Sequence, residues 1–282
     1  MGGADLAAES GHPFDVDTAV TSLGEGRFAA AVSERWGLLG AGGGFANGGY
    51  ALALCLRALR ADAGHADPIA VSATYLSRVR FGPAEVRVER IRSGRRLSTV
   101  AGRLIQEGKE RVRVVATFAD LGSAAGRTEV RNHAPELPPP ADCLGLATRA
   151  DVPGFSLADR LEFRYVELPG WRRGEPQGRL SDQFWMRFAP DESGRVRDAD
   201  TLALAAMVDM ATPPVIDLGE AGSTTIELTV HVRGVPAPGW LACRASTQHV
   251  IDGFHDEDFE IWDSTGRLVA QSRQLALLPT RR

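Results

Sequence analysis

The chain has 282 residues, 44% hydrophobic and 24% charged, with a formal net charge of −4. This is a globular composition long enough for one large domain or two ordinary ones. It has no basic excess to engage nucleic acid, and no run of about 18 apolar residues to form a membrane span. Lys109 is the only lysine and no GK[ST] motif occurs, so a P-loop is excluded. Cys55, Cys143 and Cys243 are far apart and odd in number, which argues against a disulfide framework. The polar opening MGGADLAAESGHPFD lacks the apolar run of a secretory signal, so a cytoplasmic setting is expected.

Residues 1 to about 14 read as a loose arm. Thr18 to Leu23 and Arg27 to Trp36 alternate around Gly24-Glu25-Gly26, a hairpin pattern. The glycine-rich run Gly40 to Gly44 leads to Asn47, which can cap a helix ending near Gly64. Four strands are predicted next: Ile69 to Arg80, Ala84 to Ile91, Leu97 to Gln106 and Arg111 to Phe118. From Ala119 to Asp159 Gly, Pro and charge dominate, as in a connection between units.

The order then repeats. Leu161 to Glu167 and Leu180 to Phe188 read as strands, and Thr201 to Pro214 contains a short helix stopped by Pro213-Pro214. Four more strands follow: Thr224 to Arg233, Trp240 to Gln248, Phe254 to Trp262 and Leu268 to Leu277. The expected fold is α+β, with units at 1–121 and 160–282, a linker at 122–159, and an antiparallel sheet wrapped around a buried helix in each unit. Two such sheets can pair edge to edge, and the edges left over suggest a homodimer or higher homo-oligomer.

The second helix is apolar on every side, through Leu202, Leu204, Ala205, Ala206, Met207 and Val208, yet Asp209 sits near its last turn. Burial and the negative end of the helix dipole both disfavour an ionised acid there. Asp209 is therefore either an outward-pointing acid at a frayed end or a functional group. Cys55, inside the first apolar helix, reads as core. Around His249, Asp252, His255, Asp256, Glu257 and Asp258, alternation puts His255 and Glu257 on one face and Asp256 and Asp258 on the other. Zinc-ligand spacing is absent, so a solvated strand or turn is expected and no metal site is assigned. The run Gly40 to Gly44 fits close backbone packing better than phosphate binding.

Three stretches carry a resemblance over nearly the whole chain. They are WGLLGAGGGFANGGYALALCLRAL, SATYLSRVRFGPAEVRVERIRSGRRLSTVAGRLIQEGKERVRVVATF and WDSTGRLVAQSRQLALL. In this order and at these separations they resemble the acyl-CoA thioesterases of the double hotdog type, the thioesterase II group. The resemblance implies hydrolysis of an acyl-CoA or acyl-carrier-protein thioester by activated water, with no cofactor. It implies a water-orienting trio of Asp209, Thr225 (or its neighbours Thr224 and Ser223) and Gln274 (or Gln271). Gln274 and Gln271 differ by three and so face opposite sides of the last strand. The acyl chain would lie beside the second helix, among Ala205, Met207 and Val208. Either Gly-flanked helix entrance can supply the oxyanion donor, and Arg78, Arg80, Arg92, Arg95 and Arg96 are candidates for the phosphates of coenzyme A. The strand TIELTVHVRG has less aromatic or His character than expected of the group, which bears on substrate range. A hotdog hydratase would need His five residues after the acid, where this chain has Pro214. A non-catalytic acyl-thioester binding protein is the alternative from another class.

Overall fold

A computed structural model describes residues 11–40, 43–146 and 156–279. Parts of the expected arm (1–10), glycine run (41–42), connection (147–155) and C-terminus (280–282) lie outside the described residues. The first half contains α1 (Pro13–Asp17), β1 (Val20–Gly24), β2 (Arg27–Val32), β3 (Gly37–Gly40), β4 (Gly43–Ala46), α2 (Gly48–Ala63), β5 (Asp67–Tyr75), β6 (Gly82–Ser93), β7 (Ser98–Gln106) and β8 (Lys109–Ala119). The second contains β9 (Leu144–Gly145), β10 (Leu161–Tyr165), β11 (Ser181–Phe188), α3 (Thr201–Met207), β12 (Thr224–Val232), β13 (Leu241–Ser246), β14 (Val250–Ile251), β15 (Phe254–Trp262) and β16 (Leu268–Leu277).

Among the described residues, 14 strands form one sheet in the order β1-β2-β6-β7-β8-β5-β12-β16-β15-β13-β11-β10-β9, with β14 on β15. Apart from β9, the two halves of this order mirror each other. The strand after each helix, β5 or β12, stands at the seam, where the two pair antiparallel from Glu227 opposite Thr74 to His231 opposite Ala70. This is the edge-to-edge closure that keeps both inner edges from exposing unpaired backbone.

Each helix follows from its sequence. Asn47 caps α2 by accepting from the Tyr50 N–H (3.0 Å), and Gly64 ends it in the left-handed region at φ 75°. Asp200 caps α3 by accepting from the Ala203 N–H (2.7 Å). Apolar on every side, α3 and the first half of α2 are buried beneath the sheet. They meet where Gly49 faces the carbonyl of Ala206, so closely that a Cβ at 49 would collide with that oxygen.

Four expectations are corrected. The arm is not loose up to residue 14: Phe14 is fully buried, 5.5 Å from Trp36 and 4.8 Å from Phe188 between ring centroids, which pins α1 to both halves. The strand predicted to reach Arg80 stops at Tyr75, because the buried Gln106 holds the following loop by donating to Arg80 O (2.7 Å) and accepting from Arg80 N–H (2.9 Å). The second helix ends at Met207, so Asp209 lies just beyond it, in tight turns where the Asp209 N–H bonds Ala206 O (3.2 Å). The acidic stretch is not all solvated, since His255 (1%) and Glu257 (3%) are buried on the inner face of β15. No helix of the described residues is long and apolar enough to cross a membrane.

Overpacking at the Gly49–Ala206 contact should destabilise. Gly49→Ala is expected to lose roughly 1–3 kcal/mol, measured by denaturant unfolding. An unchanged unfolding midpoint would show that the two helices separate freely there.

Candidate active site

The turns after α3 deliver the Asp209 carboxylate to the start of α2, a helix from the other half of the chain. Asn47 fixes this junction from both sides. Its side-chain oxygen caps α2, and its Nδ2 donates to the backbone carbonyl of Asp209 (2.8 Å). The Asp209 carboxylate accepts from the Gly49 backbone N–H. It also fills the space a side chain would need at Gly48, which is why that position must be glycine. Tyr75 on β5 closes the same corner, its hydroxyl donating to Gly48 O (3.0 Å). Burial first, and then the nearby Asp209 charge, push the Tyr75 phenol well above its usual range.

Thr225 and Gln274 complete the cluster. The Thr225 hydroxyl lies 3.4 Å from Asp209 Oδ1 and 3.1 Å from Gln274 Oε1. A bulge in β12 aims Thr225 inward: it faces Ala276 on β16, while Glu227, two residues on, faces Leu275. The alternatives point elsewhere. Thr224 is exposed, Ser223 is 2.7 Å from His255 Nε2, and Gln271 bonds Glu260 (3.4 Å). Thus the structure brings Asp209, Thr225 and Gln274 together. Ala205 and Met207 are fully buried and Val208 is 2% exposed, so all three are packed into the core around α3.

The electrostatics oppose one another. Burial pushes Asp209 up to about 7, while the hydrogen bonds from Thr225 and Gly49 pull it down. The positive end of α2 also favours the anion. The residue keeps partial exposure, so water can reach it. Such an acid is half ionised near neutral pH, the range in which a carboxylate works best as a base.

Only the α2 entrance reaches Asp209. The corner at the start of α3 is closed: the Thr201 hydroxyl donates to Asp67 (2.6 Å), and Arg197 bridges Asp15 (2.8 Å) and Asp200 (2.8 Å). Of the five candidate arginines, Arg78 is near the open corner. Its guanidinium lies over the Phe45 ring (4.7 Å), one strand end from Asn47. The Arg95 backbone instead meets His65, beyond the far end of the 16-residue α2.

The fold finds its counterparts in known proteins. Residues 33–119 match the acyl-CoA thioesterase N-terminal domain and residues 140–278 the acyl-CoA thioesterase C-terminal domain. The chain therefore belongs to the acyl-CoA thioesterases of the thioesterase II (TesB) type, and it is a thioester hydrolase with the double hotdog fold. A Thermobifida fusca protein assigned as a thioesterase II is 29% identical in its crystal structure, with a TM-score of 0.83 over 95% of this chain and 98% of that one. A hot dog fold protein of unknown function from Alicyclobacillus acidocaldarius aligns with a TM-score of 0.81 at 22% identity, over 96% and 100% of the two chains, and shares the fold. An uncharacterized protein of Mycobacterium tuberculosis is 28% identical over 89% of this chain and 91% of its own.

The raised pKa of Asp209 has a stability consequence. A folded-state value above the unfolded one favours folding at low pH, and that contribution is lost as pH rises through about 7. Asp209→Asn removes the charge and should unfold at a higher temperature than wild type at pH 8, with little difference at pH 4. A gain at pH 4 equal to that at pH 8 would contradict a buried, titrating Asp209.

Proposed function

We propose that the protein hydrolyses acyl-CoA to a free acid and coenzyme A by direct attack of water at the corner between the halves. A thioester carbonyl is electrophilic enough for this if the water is deprotonated and aimed. Asp209 takes the proton, Thr225 and Gln274 hold the water in line, and the Gly48 N–H at the start of α2 receives the oxyanion. The observation that carries this reading is a carboxylate poised near pH 7 against a helix entrance, in hydrogen-bonding reach of a hydroxyl that in turn meets an amide.

The acyl group enters against the end of α3, where Val208, Met207 and Ala205 are met in turn. These side chains are packed, so a compact acyl group fits with the least rearrangement. Arg78 receives a phosphate of coenzyme A. Self-association through the sheet edges β1 and β9, and a cytoplasmic setting, belong to the same proposal.

Free-thiol release from short, medium, long and aromatic acyl-CoAs tests the reading. Asp209→Asn should lower turnover by about 10²–10⁴-fold with folding intact. Retained turnover in that variant would remove Asp209 as the base. Arg78→Ala should raise KM for acyl-CoA and leave KM for an acyl-pantetheine thioester, which lacks the nucleotide phosphates, unchanged. An equal rise for both substrates would remove the phosphate contact.

A further inference from the structure

The water chemistry leaves one buried acid of the corner without a task. Glu257 on β15 stands directly opposite Gln274 on β16. It is 3% exposed, and its carboxyl is in hydrogen-bonding contact with the Gln274 side chain. Its Oε2 has no hydrogen-bond partner among the described residues. Among the described residues the charged groups that act on it are Asp209 after α3, Asp182 on β11 and its strand neighbour Asp258, all acids. His255, two residues away, is held towards its neutral form by burial and is engaged with Ser223 Oγ (2.7 Å) and Asp256 O (3.1 Å). A buried carboxylate with a bare oxygen and only acids around it is strongly disfavoured, so the neutral acid is the form this pocket accepts. Burial first, and then the charges of Asp209, Asp182 and Asp258, push its pKa well above the usual carboxyl range, against the pull of the Gln274 contact.

A neutral carboxyl has a proton to give, and its neighbour is an amide. We propose that Glu257 is a positioning residue. Its O–H donates to the Gln274 amide oxygen and so fixes the direction of the chain from Glu257 through Gln274 and Thr225 to Asp209. This inference rests on the hydrolytic reading of Asp209 for its kinetic consequences, but not for its hydrogen-bond direction.

Donor counting supports that direction. Thr225 has one hydroxyl proton and two acceptors in reach, Gln274 Oε1 at 3.1 Å and Asp209 Oδ1 at 3.4 Å. With the amide oxygen towards Thr225, one acceptor goes without. The two ends of an amide occupy the same volume, and exchanging them resolves the conflict. Glu257 then donates to the amide oxygen, the amide N–H donates to Thr225 Oγ1, and the Thr225 hydroxyl is free to donate to Asp209. Each of these three bonds then has one donor and one acceptor, and the second amide N–H is left over for the water. The Thr225 bond is one of the two that hold Asp209 down against burial, so the chain keeps the base usable at neutral pH.

Two substitutions test this through the pH profile of kcat/KM. Glu257→Gln keeps a donor of the same shape without a charge and should stay close to wild type in kcat and in its acid limb. Glu257→Leu leaves the amide oxygen unpaired. It should lose roughly tenfold in kcat, as for a buried partner removed, with KM unchanged and the acid limb moved to higher pH. A limb that moves to lower pH would mean that a negative charge had been removed, overturning the neutral donor. A Glu257→Leu profile identical to wild type would overturn the positioning role. Carbon-13 NMR of glutamate-labelled protein at pH 7 gives a readout independent of turnover. A neutral carboxyl signal that disappears in Glu257→Gln is expected, and an ionised Glu257 would overturn the proposal. A wild type that shows this signal but hydrolyses no thioester would count against the hydrolytic reading alone.

Discussion

The Asp209 carboxylate rests on the first turn of a helix that belongs to the other half of the chain, and the site depends on that meeting. The first half supplies Asn47, Gly48, Gly49 and Tyr75, and the second supplies Asp209, Thr225 and Gln274. Neither half holds the full set. The seam pairing of β5 with β12 and the close approach of Gly49 to Ala206 fix where the acid falls relative to the backbone N–H groups. Two adjacent glycines serve different ends: Gly49 lets the helices touch, and Gly48 leaves room for the carboxylate.

The internal repeat makes the asymmetry informative. A two-fold arrangement offers two equivalent corners, one at each helix entrance. One holds a partly exposed acid tuned to about 7. The other is filled by Thr201 on Asp67 and by Arg197 between two carboxylates, with Phe14 of α1 packed alongside. The working corner works against folding, since an acid held above its ordinary range destabilises the folded chain at the pH where it ionises. In the filled corner the carboxylates are engaged, Asp67 by Thr201 and Asp15 and Asp200 by Arg197.

Much of this was legible in the sequence because it is written locally. The Asn47 cap, the apolar helices, the alternating strands and their repeated order follow from short-range rules, and the resemblance placed Asp209, Thr225 and Gln274. Long-range pairings were not legible. No spacing reveals that Glu257 falls opposite Gln274, and so a run of His, Asp and Glu read as a solvated face although its alternation had already put His255 and Glu257 on the same side. The helix entrance that meets Asp209 was likewise undetermined, because it depends on how two halves dock. Phe14 looked like part of a tail because a single aromatic residue after a polar run carries no periodicity.

The most direct test is a crystal structure of Asp209→Asn with an unhydrolysed acyl-CoA. The account places the thioester oxygen about 2.7–3.1 Å from the Gly48 nitrogen, with the carbonyl carbon facing position 209 and the Thr225–Gln274 pair. A thioester bound at the start of α3, or anywhere out of reach of Gly48, would contradict it.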